Sequence, residues 1–367
     1  MTVSASSARR RLSWRRIGAV WPGLAAVLIM LGMFSAPPQS GVGSPGGVVS
    51  RYLAAIRAGD VTGALRMVGG APEGESARFL SALPEQHWTV GSLSVSNDPD
   101  SAGAEVLVEL VDGDRTASGK FRVARSAGQW RIADPFVSIG FTRSPLWYTS
   151  VDQVDGPWEE STPNQRYLVL PGSHVFYPGV PDTVTARPLS ALLLPGDGTH
   201  IVDVGEVSLT EAGTEAATTA VRDYVDVCAE TADDFWVDYC PFSTTGNVDA
   251  RTEYAFLDNP LDITWTVVDY PTMSFTAGSD AFDVADEEPG VITVSGDAVE
   301  KEWRDHEIVS AGHRVDFAVD CQIQSRWLRF GVLPDGEFVV RHVAGRFGDG
   351  DWHPGDFPDS TPDTCLG

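Results

Sequence analysis

The longest uninterrupted apolar pattern of the chain comes early. From Ile17 to Phe34, eighteen successive positions carry no ionisable side chain. At about 1.5 Å of rise per helical residue such a run spans about 27 Å, near the hydrocarbon thickness of a bilayer. Behind it the pattern becomes that of folded, water-facing domains. Val48, Val49, Tyr52, Leu53 and Ile56 recur at helical spacing and make one apolar face. Gly59 closes that helix and Asp60 caps a second, which buries Val61, Ala64, Leu65 and Val68. A short third helix is expected around Phe79, Leu80 and Leu83, ended by Pro84. Alternation then takes over. Trp88 and Val90 lie in one phase and Leu93 and Val95 in the other, which places a bulge at Gly91. Val106, Val108 and Leu110 alternate, then Phe121 and Val123, then Trp130 and Ile132 after a turn at Ser126-Ala127-Gly128. Helices first and an antiparallel meander after predict an α+β domain over residues 48–140.

From 141 to 212 the pattern weakens to a connecting segment and a small β unit. Phe141 to Pro163 is rich in Trp, Tyr, Pro and Ser without a period, and reads as an irregular connection laid over the domain surfaces. Tyr167 to Leu170, His174 to Tyr177, Val184, Leu192 to Leu194 and Ile201 to Val204 read as strands, with turns at Pro171-Gly172 and Pro178-Gly179. An aromatic ladder at Phe176 and Tyr177 either packs the core of this unit or, if exposed, binds a glycan. Ala216 to Ala229 is a helix with Ala217, Val221, Tyr224, Val225 and Cys228 on one face, and it opens a second α+β domain over 213–367. There the first domain's order returns. Trp265-Thr266-Val267 echoes Trp88-Thr89-Val90, Gly290 to Val294 echoes Ala104 to Val108, and Phe330 to Val340 echoes Lys120 to Ile132. These echoes predict a second copy of the helix-plus-sheet unit.

Charge sharpens the reading of the apolar run. Arg9, Arg10, Arg11, Arg15 and Arg16 precede it and no acid occurs before Asp60. Basic residues are retained on the cytoplasmic side, so residues 1–16 are a cytoplasmic segment, 17–34 the transmembrane span, and the rest extracytoplasmic. Phe34-Ser35-Ala36 followed by Pro37-Pro38 is a poor signal cleavage site, which favours a permanent signal anchor over secretion after cleavage. Residues 35–47 read as a flexible Pro, Gly and Ser linker. The exported part carries 21 basic against 51 acidic residues, a balance of about −30, which excludes nucleic acid as a partner. Basic residues other than Lys120 and Lys301 are all Arg, the usage of a high-GC bacterial source.

Tyr52 to Asp60, the strand start Trp88-Thr89-Val90 and the closing Gly128-Gln129-Trp130-Arg131-Ile132 resemble the small NTF2-like domains of exported actinobacterial proteins. The phrase Leu170-Pro171-Gly172 ahead of a strand is similarly found in exported or membrane proteins of those bacteria. The NTF2-like resemblance implies a helix wrapped in a curved sheet, a cone with a pocket. It implies no single activity, because the fold hosts enzymes, ligand binders and inert modules. Enzymatic members point an Asp, His or Tyr into the cone. None matches here residue by residue, since Asp60 is a helix-corner residue and His87 sits at a strand edge.

All four cysteines, Cys228, Cys240, Cys321 and Cys365, lie in the last domain, and an oxidising compartment pairs them. Of the three pairings open to them, Cys228 with Cys240 closes a short loop at a helix end, and Cys321 with Cys365 pins a Pro- and Asp-rich tail. These are read as structural staples. His306 and His313 with Asp305 and Glu307 have no register that puts both rings on one ion, and Asp349, Asp351, Asp356 and Asp359 lack the closing Glu of a calcium loop. The chain has no Gly-x-Ser-x-Gly, no His-Glu-x-x-His, no Ser-x-x-Lys and no phosphate loop. No catalytic, cofactor-binding or metal residue is therefore assigned. The sequence favours a membrane-anchored envelope protein that binds a protein or cell-wall polymer. A pocket-based hydrolase or isomerase and an accessory sensor of a neighbouring membrane protein are the alternatives.

Overall fold

In the computed structural model, which describes residues 43–70, 72–81, 83–97, 103–157, 165–196, 198–233, 239–244, 255–304, 307–308, 312–343 and 365, apolar periodicity resolves into three β-rich units with few helices. The first begins with α1 (Pro45–Arg57) and α2 (Val61–Leu65), followed by a 3-10 turn at Glu75–Ser81. The linker expected over 35–47 therefore ends sooner. Ser44 caps α1 by accepting from the Gly47 N–H, and Pro45 takes a first-turn position where no amide hydrogen is needed. Asp60 caps α2 as expected, but that helix stops at Leu65, and Val68 instead bridges to Ile132.

Four strands follow in sequence order as an antiparallel sheet, β1 (Thr89–Asn97), β2 (Gly103–Asp112), β3 (Arg115–Ser126) and β4 (Gln129–Ile132). The register slips between Val90 and Ser92, the bulge expected at Gly91. The slip turns both hydrophobic phases to one side: Val90, Leu93 and Val95 stand opposite Leu110, Val108 and Val106. Val48, Tyr52, Leu53 and Ile56 of α1 pack on that face against Val106, Leu110, Phe121 and Ile132.

The middle unit has more strand than its sequence suggests. Beside β5 (Val137–Phe141) a hairpin of β6 (Tyr148–Val151) and β7 (Val154–Pro157) occupies the stretch read as an irregular connection. All four residues of β6 are buried, so no alternation marks it, and its turn puts Asp152 and Gln153 at positive φ without glycine. The unit continues with β8 (Tyr167–Val169), β9 (Gly172–Phe176), β10 (Val184–Ala186), β11 (Leu189–Leu193), β12 (Thr199–Val202) and β13 (Val207–Leu209). Phe176 and Tyr177, each 2% exposed, fill its interior, so no exposed aromatic ladder exists for a glycan there.

The last unit opens with α3 (Glu211–Thr231), capped by the Thr210 hydroxyl. Its strands are β14 (Ala255–Asp269), β15 (Thr272–Ala277), β16 (Phe282–Glu288), β17 (Gly290–Arg304), β18 (Glu307–Ile308), β19 (Arg314–Ile323), β20 (Leu328–Val332) and β21 (Phe338–His342). Most are halves of longer, bent strands. β14 pairs with β17 and β15 with β16 in one continuing hairpin, broken at Pro271 and Pro289, and β19 and β20 continue one another past a 3-10 turn at Ser325–Trp327. A Cβ on Gly290 would stand 2.6 Å from the Pro271 ring, so the bend itself requires glycine. The last unit thus divides into two sheets, β14-β17-β18 with β19 also on β17, and β15-β16-β20-β21, whereas the first unit has the single sheet β1-β2-β3-β4.

The middle and last units share one interior, in which Tyr148, Val151, Phe176 and Tyr177 meet Val221, Phe282, Phe330 and Val332. Trp147, in the stretch expected to be an irregular connection, is buried at this junction. Its indole N–H donates to the Asp280 carbonyl at 2.8 Å, its backbone N–H donates to Val332 at 2.9 Å, and its ring covers Gly331, where any side chain would collide. Among the described residues no helix is long and apolar enough to cross a membrane; the expected span Ile17–Phe34 lies outside them.

Candidate binding cleft

The first half of α3 gives Ala217 and Val221 to the shared interior, and its second half gives Val225 and Cys228 to a C-terminal core with Trp265, Ile292, Val294 and Ile323. That rotation leaves Asp226, Ala229 and Glu230 on the flank facing β14. An open cleft of about 510 Å³ lies between this flank and the Ile263–Val267 stretch, with Ala232 and Tyr270 at its margins. Exposed Thr264 and Thr266 with half-buried Ile263 and Val267 line its strand side, and Asp226 and Glu230 make its helix side acidic.

The cleft is held in shape from both ends. Cys228 is bonded to Cys240, and the Tyr224 hydroxyl donates to the Tyr239 carbonyl at 2.6 Å, so the end of α3 is tied to the following segment. Phe242 of that segment lies 4.9 Å from the Trp265 ring. Cys321 is bonded to Cys365, so both expected disulfides form and no free thiol is present among the four cysteines. On the cleft margin the Tyr270 hydroxyl donates to Asp226 Oδ1 at 2.5 Å, and the Arg222 guanidinium stands 5.1 Å over the Tyr270 ring. The bond to Asp226, helped by partial burial, raises the Tyr270 pKa, so the phenol keeps its proton and holds the carboxylate in place.

A second polar cluster, in β9 and its surroundings, escapes the sequence reading. His174 is fully buried, with Nδ1 at 2.5 Å from Asp152 Oδ2 and Nε2 at 2.7 Å from the Leu170 carbonyl. Asp152 Oδ1 also accepts from the Val175 N–H at 2.7 Å. Because Asp152 falls in the expected irregular connection, the only signal was the Asp152-Gln153 turn itself. Neighbouring Ser173 donates to Asp112 Oδ2 at 2.5 Å, and its backbone N–H meets Gln86 Oε1 at 2.8 Å. Gln86 Oε1 also accepts from Trp88, and Gln86 Nε2 donates to the Pro84 and Ser173 carbonyls. Serine, histidine and aspartate are all present, yet Ser173 and His174 are successive strand residues and point to opposite faces. They share no proton path, and each is a strut between chain segments.

Other sequence candidates stay apart. His87 is exposed, Asp60 serves its helix cap, and His313 is an exposed ring 3.8 Å from Glu300. Asp305, His306, Asp349, Asp351, Asp356 and Asp359 lie outside the described residues, as does the side chain of Glu307. Among the described residues no three His, Cys, Asp or Glu side chains gather as metal ligands. No family model matches the chain, and neither a curated protein nor a solved structure matches it significantly.

Proposed function

We propose that the chain is a membrane-anchored extracytoplasmic protein of the cell envelope that holds a partner at its C-terminal α+β unit and does not turn over a substrate. The cleft between α3 and β14 carries this reading, being open to solvent, lined on its strand side by Ile263, Thr264, Thr266 and Val267 and acidic along its helix side. Its tyrosine hydroxyl is already committed to Asp226. In the other units Ser173, His174 and Gln86 are consumed by internal bonds. The uncharged run behind an arginine cluster and the two disulfides support export with an uncleaved anchor. The helix-then-meander order of residues 45–132 and 211–342 supports the NTF2-like reading, in which the cleft is the mouth of the second cone.

Crosslinking in intact membranes followed by capture of the full chain tests the reading. A specific envelope protein or wall-polymer fragment is expected on the chain, and recovery of the chain alone would sink the proposal. The pocket-enzyme alternative draws on the Tyr270–Asp226 bond. It requires that the captured material be chemically altered by the chain and that Asp226→Asn abolish the change.

A further inference from the structure

We infer that the first unit pairs with a second copy of this chain, β1 against β1, joining two four-stranded sheets into one of eight strands. The contact is separate from the α3–β14 cleft and from any partner held there. In the sheet order β1-β2-β3-β4, β1 is an edge strand, and its one strand partner among the described residues is β2. An edge strand carries a row of backbone donors and acceptors that a further strand satisfies, and folded proteins usually blunt such rows with charge, proline or a bulge. Thr89–Asn97 contains no charged residue and no proline. Its bulge falls between Val90 and Ser92, which leaves Ser92–Asn97 in unbroken register.

The two faces of β1 say what covers this edge. Ser92, Ser94 and Ser96 are exposed on one face, and Leu93 and Val95 lie on the other, opposite Val108 and Val106. Val106 and Val108 are buried in the first unit's core, whereas Val95 is 40% exposed and Leu93 half-buried, so the apolar face runs past its cover at β1. An antiparallel pairing about a two-fold axis at Ser94 sets that serine against its counterpart, Ser92 against Ser96, and Leu93 against Val95 of the second copy. Every apolar residue then meets an apolar one and every serine a serine. A strand of another protein would meet the same backbone row, but β1 read backwards about Ser94 already has both kinds of residue in matching positions. Charge permits the contact. Residues 43–140 carry nine basic and eleven acidic residues, so the chain's excess of acid, −25 in all, lies almost wholly in the later units. The acids nearest the axis, Glu105 and Glu109, stand on β2 opposite Ser96 and Ser92. In the joined sheet Glu105 is three strand spacings from Glu109 of the second copy, about 14 Å, which exceeds the screening length of about 8 Å at physiological salt.

The test uses the full chain, purified in detergent with its disulfides intact, and follows its mass by light scattering as concentration rises. A dimer is expected, with slowed amide exchange at residues 92–97 that appears only as the dimer forms. Ser94→Lys and Ser94→Glu, changes at an exposed site, set like charges directly opposite each other and should each weaken association about tenfold. An equimolar mixture of the two should restore it, because only a contact of this residue with its own counterpart pairs the lysine with the glutamate. Ser94→Cys should crosslink under mild oxidation, since opposed Cα atoms in antiparallel strands are about 4.5–5.5 Å apart, within disulfide reach. The four native cysteines are already paired and do not compete. A monomer at every concentration overturns the inference, and so does a dimer that Ser94→Lys leaves intact. Amides of 92–97 protected in the monomer overturn it as well, by showing that another part of the chain covers the edge.

Discussion

Trp147 does three jobs with one side chain. It donates to Asp280, covers Gly331, and carries the Arg341 guanidinium 4.5 Å above its ring. Truncation to alanine removes all three and leaves a void between two units, at a cost of about 3–5 kcal/mol by the measured range for buried aromatics. Trp147→Ala is therefore expected to lower the urea midpoint sharply, and Gly331→Ala to lower it as well by forcing a methyl into the same ring. An unchanged midpoint for both would mean that the junction contributes nothing. Nothing local could have revealed this role. The sequence around Trp147 has no period, and its contacts lie in strands far along the chain, so no local pattern names β20 as its partner.

At the scale of the element, β17 and β19 set two carboxylates face to face on an exposed sheet surface. Asp297 pairs directly with Asp316, and the hydrogen bond between them, reinforced by their mutual repulsion when ionised, raises the Asp297 pKa. A carboxyl that holds its proton more tightly folded than unfolded stabilises the fold at acid pH, and that contribution is lost as pH rises through the folded pKa. Asp316→Asn should therefore be more stable than the parent at neutral pH, with the gap closing on acidification. Denaturant midpoints from about pH 3 to pH 7 measure it, and a gap independent of pH would exclude the pair as its source. Elements with strong local grammar were legible in the same way. The bulge at Gly91, the cap at Asp60, the buried face of α3 and both cysteine pairings all follow from residues close to them or from few alternatives. β6 and β7 were not, because burial on both faces erases alternation and the Asp152-Gln153 turn lacks glycine. The cleft was half legible. Its helix and Trp265 strand follow from local pattern, but that the two face each other is a long-range fact that no short-range pattern states.

For the whole molecule, the decisive fact is that the middle unit serves two interiors: Tyr148, Val151 and Phe176 lie in the one completed by the last unit, while Leu170 and Leu194 lie in the core of the first. Removing everything after Leu209 would uncover Tyr148, Val151 and Phe176, since Phe282, Phe330 and Val332 complete their surroundings. Calorimetry of such a truncated chain should show one transition, that of the first unit with Leu170 and Leu194 still on its core and at a lowered midpoint, and a second cooperative transition would mean that the middle unit stands by itself. The shared interior also bears on how the chain folds as it is made. β6 and β9 are synthesised more than a hundred residues before β16 and β20 arrive to cover them. At about 5–20 residues per second, the pace of chain synthesis, that apolar surface waits for at least about 5 s. A net charge of −25 over the whole chain opposes collision between two such half-finished molecules during the wait.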